Sequence, residues 1–431
     1  MKAVKLSLVI MAAALLTIGL GGMAYAFHDG GVASCEGCHT MHNSIGNATV
    51  VKNGTQFQGV AYLLKGTDQS STCINCHSGA TLSSYHVFTT GSIAGIGPAN
   101  YTPGGDFAWL TKSYAANSGL HLSALPGERL GHNVIAADFS LVADATLTHA
   151  PGGTYANTNL TCISCHDPHP SARIIDSNGT IATRTMGSAI PPIYTYGSYG
   201  DAPTASEAVG VYRLLGAIGY VPKSYNGGPT FAANPPVAVA PTGSGTAGYN
   251  RKETSTDTRV AYGKGMSEWC ANCHATIHND SISSAFIHPA SNNALLGATI
   301  TANYNAYKKS GDLTGAQATS YTSLIPFEEG TTNIATLKSH AGGGTGSTAG
   351  PTTGTENVMC LTCHRAHASG FRYMARWDND TEFITEAGAY LATTAAGTRT
   401  GVEYQAAMYD RAPGAFATYQ RSLCNKCHVK D

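Results

Sequence analysis

Residues 35–42 read Cys-Glu-Gly-Cys-His-Thr-Met-His, and the first five of them set a pattern, C-x-x-C-H, that the chain carries six times. The copies are Cys35/Cys38/His39, Cys73/Cys76/His77, Cys162/Cys165/His166, Cys270/Cys273/His274, Cys360/Cys363/His364 and Cys424/Cys427/His428, and together they use all twelve cysteines. C-x-x-C-H is the attachment signature of a c-type haem: two cysteines form thioethers with the porphyrin vinyls and the adjacent histidine binds iron from one side. A zinc site needs paired motifs at compact spacing and gives histidine no reason to follow every second cysteine. A disulfide framework leaves the histidines unexplained and would not confine cysteines to one spacing. The motif itself is expected on a helical turn, where cysteines at i and i+3 face one side of the ring.

Each haem brings one proximal histidine, His39, His77, His166, His274, His364 and His428, and eleven further histidines remain. Six of those would make every iron bis-His, closing both axial positions, so that electrons pass but no substrate binds. His42, His169 and His367 share the pattern C-x-x-C-H-x-x-H. A histidine three residues past the proximal ligand cannot fold to the far face of its own haem, but it can reach the iron of a neighbour. His132, His288 and His340 lie in loops between motifs and suit long-range ligation. These six are the distal candidates, with His28, His86 and His278 in reserve. His121 and His149 sit in polar surroundings and read as ordinary surface histidines. A multihaem reductase would need one five-coordinate haem, often with an unusual proximal ligand such as lysine, and all six motifs end in histidine.

The N-terminus carries Lys2 and Lys5, an apolar run from Leu6 to about Leu20, and Ala24-Tyr25-Ala26 as an A-x-A cleavage site. Residues 1–26 therefore read as a secretory signal peptide and 27–431 as a single hexahaem domain, exported to the side of the membrane where such haems are attached. The run is short for a bilayer span of about 20 residues, which disfavours a retained anchor. The 405 remaining residues leave about 68 per haem. Haems are large apolar discs, so they can replace much of the side-chain core. Charged residues make up 12% of the chain and glycine 50 of its 431 residues, against roughly 25% and 7% in ordinary domains. The expected fold is a coil-rich multihaem c-type cytochrome with short helices, very little strand, and a core formed largely by six stacked haems.

The formal charge is -1, and haem propionates make the loaded chain more acidic, about -9 oxidised and about -15 reduced once the signal is removed. Nucleic acid is excluded as a partner, having nothing basic to meet. Intervals between motifs are 38, 89, 108, 90 and 64 residues, too uneven for a solenoid of fixed repeat. Turn residues mark loops at 102–105, 150–153, 226–248 and 341–355. Capping boxes predict helices over 208–215 and 318–324, and helices are also expected over 298–308, 403–411 and 415–427.

Four stretches carry a closer resemblance: FHDGGVASCEGCHTMHNS at 27–44, GMSEWCANCH at 265–274, CHRAHASGF at 363–371 and LCNKCH at 423–428. They resemble the OmcS-like hexahaem outer-surface cytochromes of metal-reducing bacteria, which polymerise into conductive nanowire filaments, and the likeness runs over the whole chain. It implies a coil-rich subunit whose six bis-His haems form a continuous row of alternating parallel and crossed pairs. It also implies that His42 ligates the haem at Cys360/Cys363/His364 of the adjacent subunit in a homopolymer. Electrons would come from envelope cytochromes and leave to extracellular metal oxides or other cells, at the outer surface. The alternatives are a monomeric periplasmic or outer-membrane shuttle, and a multihaem reductase.

Overall fold

The computed structural model describes residues 35–40, 44–45, 48–49, 61–79, 86–90, 102–115, 124–168, 173–175, 181–183, 192–193, 208–209, 212–222, 228–239, 259–278, 287–317, 325–342, 350–352, 354–391 and 399–428. The leader, His28, His42, His121, His169 and the expected helix over 318–324 lie outside these residues.

Short helices carry the C-x-x-C turns: α1 (Cys35–Cys38), α2 (Gln69–Ile74), a 3-10 turn at Cys162–Ser164, α3 (Met266–Cys270), α6 (Cys360–Cys363) and α8 (Asn425–His428). Between them stand α4 (Gly297–Ala306), α5 (Ile334–His340) and α7 (Gly401–Ala407). Side-chain caps set where several begin. Asp68 caps α2 by accepting from the Ser71 amide at 2.7 Å, and Thr400 with Glu403 closes a capping box on α7. Glu403 also meets Lys112 at 2.9 Å. Among the described residues no helix is long and apolar enough to cross a membrane.

Strands are two to four residues long. Val237–Val239 pairs antiparallel with Ala261–Lys264, and Phe383–Glu386 lies between Ala389–Tyr390 and Gln420–Arg421. Two sequence expectations fail here. The described residues of 208–215 form no right-handed helix: Ala208–Val209 is a strand, and Arg213 and Leu214 take positive φ of 49° and 57°, a left-handed pair that no right-handed helix accommodates. Over 415–427, Gln420 and Arg421 pair with the 383–385 strand, leaving helix only at α8; tertiary pairing outweighs a weak helical preference. The loop expected over 226–248 likewise contains the buried strand Val237–Val239. The expected helices at 298–308 and 403–411 stand as α4 and α7, the first beginning one residue and ending two residues earlier, the second beginning two and ending four residues earlier.

The apolar core among the described residues falls into three clusters. One gathers Ile74, Phe88, Phe107, Val134 and Leu141 beside the second motif. Another joins Val239, Tyr262, Met266, Leu337, Met359 and Leu361, with Cys270 packed against it. The largest holds Trp109, Tyr304, Phe327, Phe371, Trp377 and Tyr404, touching Cys363 and Cys427. A domain ordinarily has one contiguous core. Here the apolar material is divided and each portion borders haem-attachment cysteines, so the protein is coil-rich with short elements arranged along a row of motifs.

Candidate haem-binding centres

The row follows chain order. The Cys73 thiol interacts with Cys38 on one side and hydrogen-bonds Cys162 on the other. Cys165 interacts with Cys273, Cys270 hydrogen-bonds Cys360, and Cys363 interacts with Cys424 and Cys427. Two serines, each three residues before a motif, tie one site to the next: the Ser70 hydroxyl accepts the Cys162 amide and the Ser267 hydroxyl accepts the Cys360 amide, both at 3.0 Å. Burial pushes the Cys363 thiol up to about 12 and those of Cys273 and Cys427 up to about 11. These sulfurs thus sit in apolar surroundings, as thioethers to a porphyrin would.

Cys76 and Cys424 depart from that setting: both are exposed. The reason at the second site is the direction of α2. That helix turns Ser70, Ser71, Thr72 and Ile74 inward, so the chain leaves it on the outer side. Cys76 then falls on the closing turn, its amide bonding the Cys73 carbonyl at 3.1 Å, just before the short Ser78–Gly79 strand. Cys424, the first cysteine of its motif, stands immediately before α8. Cys76 keeps the i+3 relation to Cys73 that tethering requires, and the Cys73 thiol feels it. Among the described residues the motif cysteines form no disulfide.

A second arrangement concerns the imidazoles. His132 faces His274 with ring centroids 6.0 Å apart, His367 faces His166 at 6.3 Å, and His288 faces His428 at 6.0 Å. Two metal–imidazole bonds of about 2 Å, plus about 1 Å from each nitrogen to its ring centre, require about 6 Å. Each pair therefore stands at the separation that two ligands on opposite sides of one iron would need. The ring nitrogens are sorted accordingly. Nδ1 of His132 donates to the Ala366 carbonyl at 2.7 Å, His367 to Gly105 at 3.3 Å, His288 to Pro289 at 2.9 Å and His274 to Pro151 at 2.8 Å. A proton held on Nδ1 leaves the Nε2 lone pair for metal and fixes the ring plane. Burial pushes the His132 and His367 imidazoles down to about 4 and about 3, with the neighbouring histidines adding to the effect, so both stay neutral.

The same sorting at the first, third and fifth sites is done by one repeated clamp. His39 Nδ1 donates to Tyr62, His166 to Arg213 and His364 to Tyr373, at 2.8, 2.7 and 2.9 Å. In each case the next amide, of Thr40, Asp167 or Arg365, bonds the following carbonyl, of Leu63, Leu214 or Met374. Two residues on, the amides of Lys65, Gly216 and Arg376 return to the carbonyls of Cys38, Cys165 and Cys363. The carbonyl-bearing pairs Tyr62–Leu63, Arg213–Leu214 and Tyr373–Met374 all have positive φ, which points two successive carbonyls at the histidine strand. Sequence reading missed this. The signal available was weak: Tyr-Leu-Leu-Lys, Arg-Leu-Leu-Gly and Tyr-Met-Ala-Arg share only their pattern of bulk.

His132 and His367 are held together by an antiparallel bridge between Gly131 and Ala368, with the His132 amide bonding the His367 carbonyl at 2.9 Å. A side chain on Gly131 would collide with Ala368 and His367. The other expected ligands are less completely framed. His86 is buried against Gly79, His278 Nε2 lies 3.5 Å from Glu268, and His340 Nδ1 is 2.8 Å from Glu329. His149 lies at the surface beside Thr148. Among the described residues no ring stands opposite His364.

These residues fit haem: tethering sulfurs enclosed by apolar side chains at most positions, paired neutral imidazoles at bis-His separation, and a core divided along the row. They define a multihaem c-type cytochrome whose work is electron transfer and not catalysis. Comparison narrows this. The chain is 51% identical, over all of both sequences, to the C-type cytochrome OmcS of Geobacter sulfurreducens. Two cryo-EM and filament structures of that protein, the OmcS nanowires and the Outer Membrane Cytochrome S filament, are similar at TM-scores of 0.82 and 0.83 with 49% identity, each covering 94% of this chain and 100% of theirs. No protein-family model matches the chain. The chain belongs to the OmcS family of c-type cytochromes, and its cofactor is haem c.

Proposed function

We propose that this chain is the repeating subunit of an extracellular filament that carries electrons through six bis-His haems from envelope cytochromes to acceptors such as ferric oxides or other cells. The observation that carries the reading is the set of imidazole pairs at 6.0–6.3 Å, and the filament structures of relatives at 49% identity support the polymer. Bound haem supplies the one-electron ferric–ferrous couple. The protein's own residues do the rest. Twelve cysteines tether the row, backbone carbonyls orient seven of the rings, and buried aromatic clusters exclude water, all of which keep reorganisation on electron transfer small.

In the assignment that follows, His39, His77, His166, His274, His364 and His428 are proximal ligands. His132 serves the fourth site opposite His274, His367 the third opposite His166, and His288 the sixth opposite His428. His340 and His169 remain distal candidates for the first two sites, with His28, His86 and His278 in reserve. His42 is assigned to the fifth site of the adjacent subunit, opposite His364. Removal of residues 1–26 as a signal peptide would leave 94% of the chain, the share that the solved relatives cover. A contact through iron between unlike surfaces would be head-to-tail and would not close, which generates an open filament.

The test is His42→Ala. Monomers with six attached haems, one of them high-spin, and no filaments by electron microscopy are expected. Intact filaments from this variant would overturn the cross-subunit ligand and favour a shuttle with an internal ligand at the fifth site.

A further inference from the structure

Glu328 is fully buried where the fourth and fifth attachment sites meet. Its backbone is fixed by mutual hydrogen bonds with Asn357, at 3.0 and 2.8 Å, and the chain from Asn357 leads directly into α6 and Cys360. One carboxyl oxygen, Oε1, accepts the amide of Met266 at 2.6 Å, the first residue of α3, which ends at Cys270. The other, Oε2, is buried with no hydrogen-bond partner. Two more acceptors on the segments packed around it, Glu268 Oε2 and Asn357 Oδ1, are buried and unbonded as well. Three orphaned acceptors and no cation paired with Glu328 among the described residues is a costly arrangement for a carboxylate, and one that an added proton relieves.

We propose that Glu328 is a proton-accepting residue for electron transfer through the fourth and fifth sites, its carboxylate taking up one proton from solvent as one electron enters the haem tethered beside it. Charge balances locally: ferric iron, an electron, carboxylate and a proton become ferrous iron and carboxylic acid. The electron comes along the haem row and the proton from water. Burial, with the like charge of Glu268 adding to it and the Met266 and Gly265 amides opposing, pushes the carboxyl up to about 8. Reduction adds negative charge nearby and must raise it further, and reciprocally the proton must raise electron affinity.

The groups around Glu328 leave it as the one placed to respond. On α3, Glu268 lies 3.5 Å from His278. On the following segment Glu329 is 2.8 Å from His340. Glu356 accepts from Thr352 and Gly354. Lys264, at the end of the adjacent strand, is exposed, and Tyr262 is buried beside it. Cys270 and Cys360 carry no titrating proton once they are thioethers.

The inference rests on haem being attached at these two sites and not on polymerisation, so it survives failure of the filament reading. The experiment is a spectroelectrochemical titration of the haem-loaded protein from pH 6 to 10, for the native chain and Glu328→Gln. Below about pH 8 the acid is present in both redox states and potentials are flat. Above it, the reduced-to-oxidised ratio of part of the haems at fixed potential should fall by up to about tenfold per pH unit. Glu328→Gln keeps an acceptor for Met266, should retain six low-spin haems, and should lose that slope. A variant with the native slope overturns the proposal. Should the variant fail to fold, redox-difference infrared spectra of the native protein at pH 9 decide: a protonated-carboxyl band must grow on reduction, and its absence overturns the proposal.

Discussion

At the scale of single residues, the decisive device is the division of labour between the two nitrogens of each imidazole. A backbone carbonyl holds Nδ1–H at His39, His132, His166, His274, His288, His364 and His367, and Nε2 is left to metal. His367→Ala removes one member of the pair with His166. One haem in six should then show a high-spin ferric signal by electron paramagnetic resonance while all six stay attached; an entirely low-spin spectrum would refute the assignment. The motif cysteines and histidines were legible in the sequence as candidates for haem attachment and proximal ligation, because that chemistry is written within five residues. The exposure of Cys76 was not, since identical motifs give no hint of which sulfur the chain turns outward. His132, His288 and His367 were legible as ligand candidates. Which proximal ring each one faces was not legible: the partners are more than a hundred residues apart, and only packing brings them to 6 Å.

At the scale of elements, the close approaches depend on glycine where a side chain has no room. Gly105 has φ of 94°, its carbonyl receives the His367 Nδ1 proton, and a Cβ there would strike the Ala368 carbonyl. Gly105→Ala should cost roughly 1–2 kcal/mol for the left-handed backbone alone and more for the collision. A lowered melting temperature together with partial high-spin character at the third site is the expected result. A variant as stable as the native protein would show that the loop relaxes freely. Capping boxes read from sequence did not by themselves locate helices: α7 is closed by Thr400 and Glu403, a pair that played no part in expecting a helix over 403–411. They were misread at 208–215, where the chain spends its conformation on presenting the Arg213 and Leu214 carbonyls to the His166 strand. Local propensity does not encode a demand made by a distant histidine.

At the scale of the whole molecule, the apolar side chains of the described residues fall into three separate clusters and make no continuous interior among themselves. Chain produced without haem attachment should therefore show no cooperative thermal transition by circular dichroism; a sharp melt would show that the polypeptide is self-sufficient. The fold class followed from composition, since low charge and abundant glycine suit a chain wrapped on flat rings. The order of sites in space did not follow from composition or motif spacing. It emerges from contacts between sulfurs of successive motifs, which keep sequence order although the intervals between them vary almost threefold.

The clamp that grips the histidine recurs at the first, third and fifth sites, while serine struts bridge the second to the third and the fourth to the fifth. The smallest piece of this architecture that repeats is thus a domino and not a tile. Among the described residues the second and third sites make one such domino and the fourth and fifth the next, with the first and the sixth standing outside them.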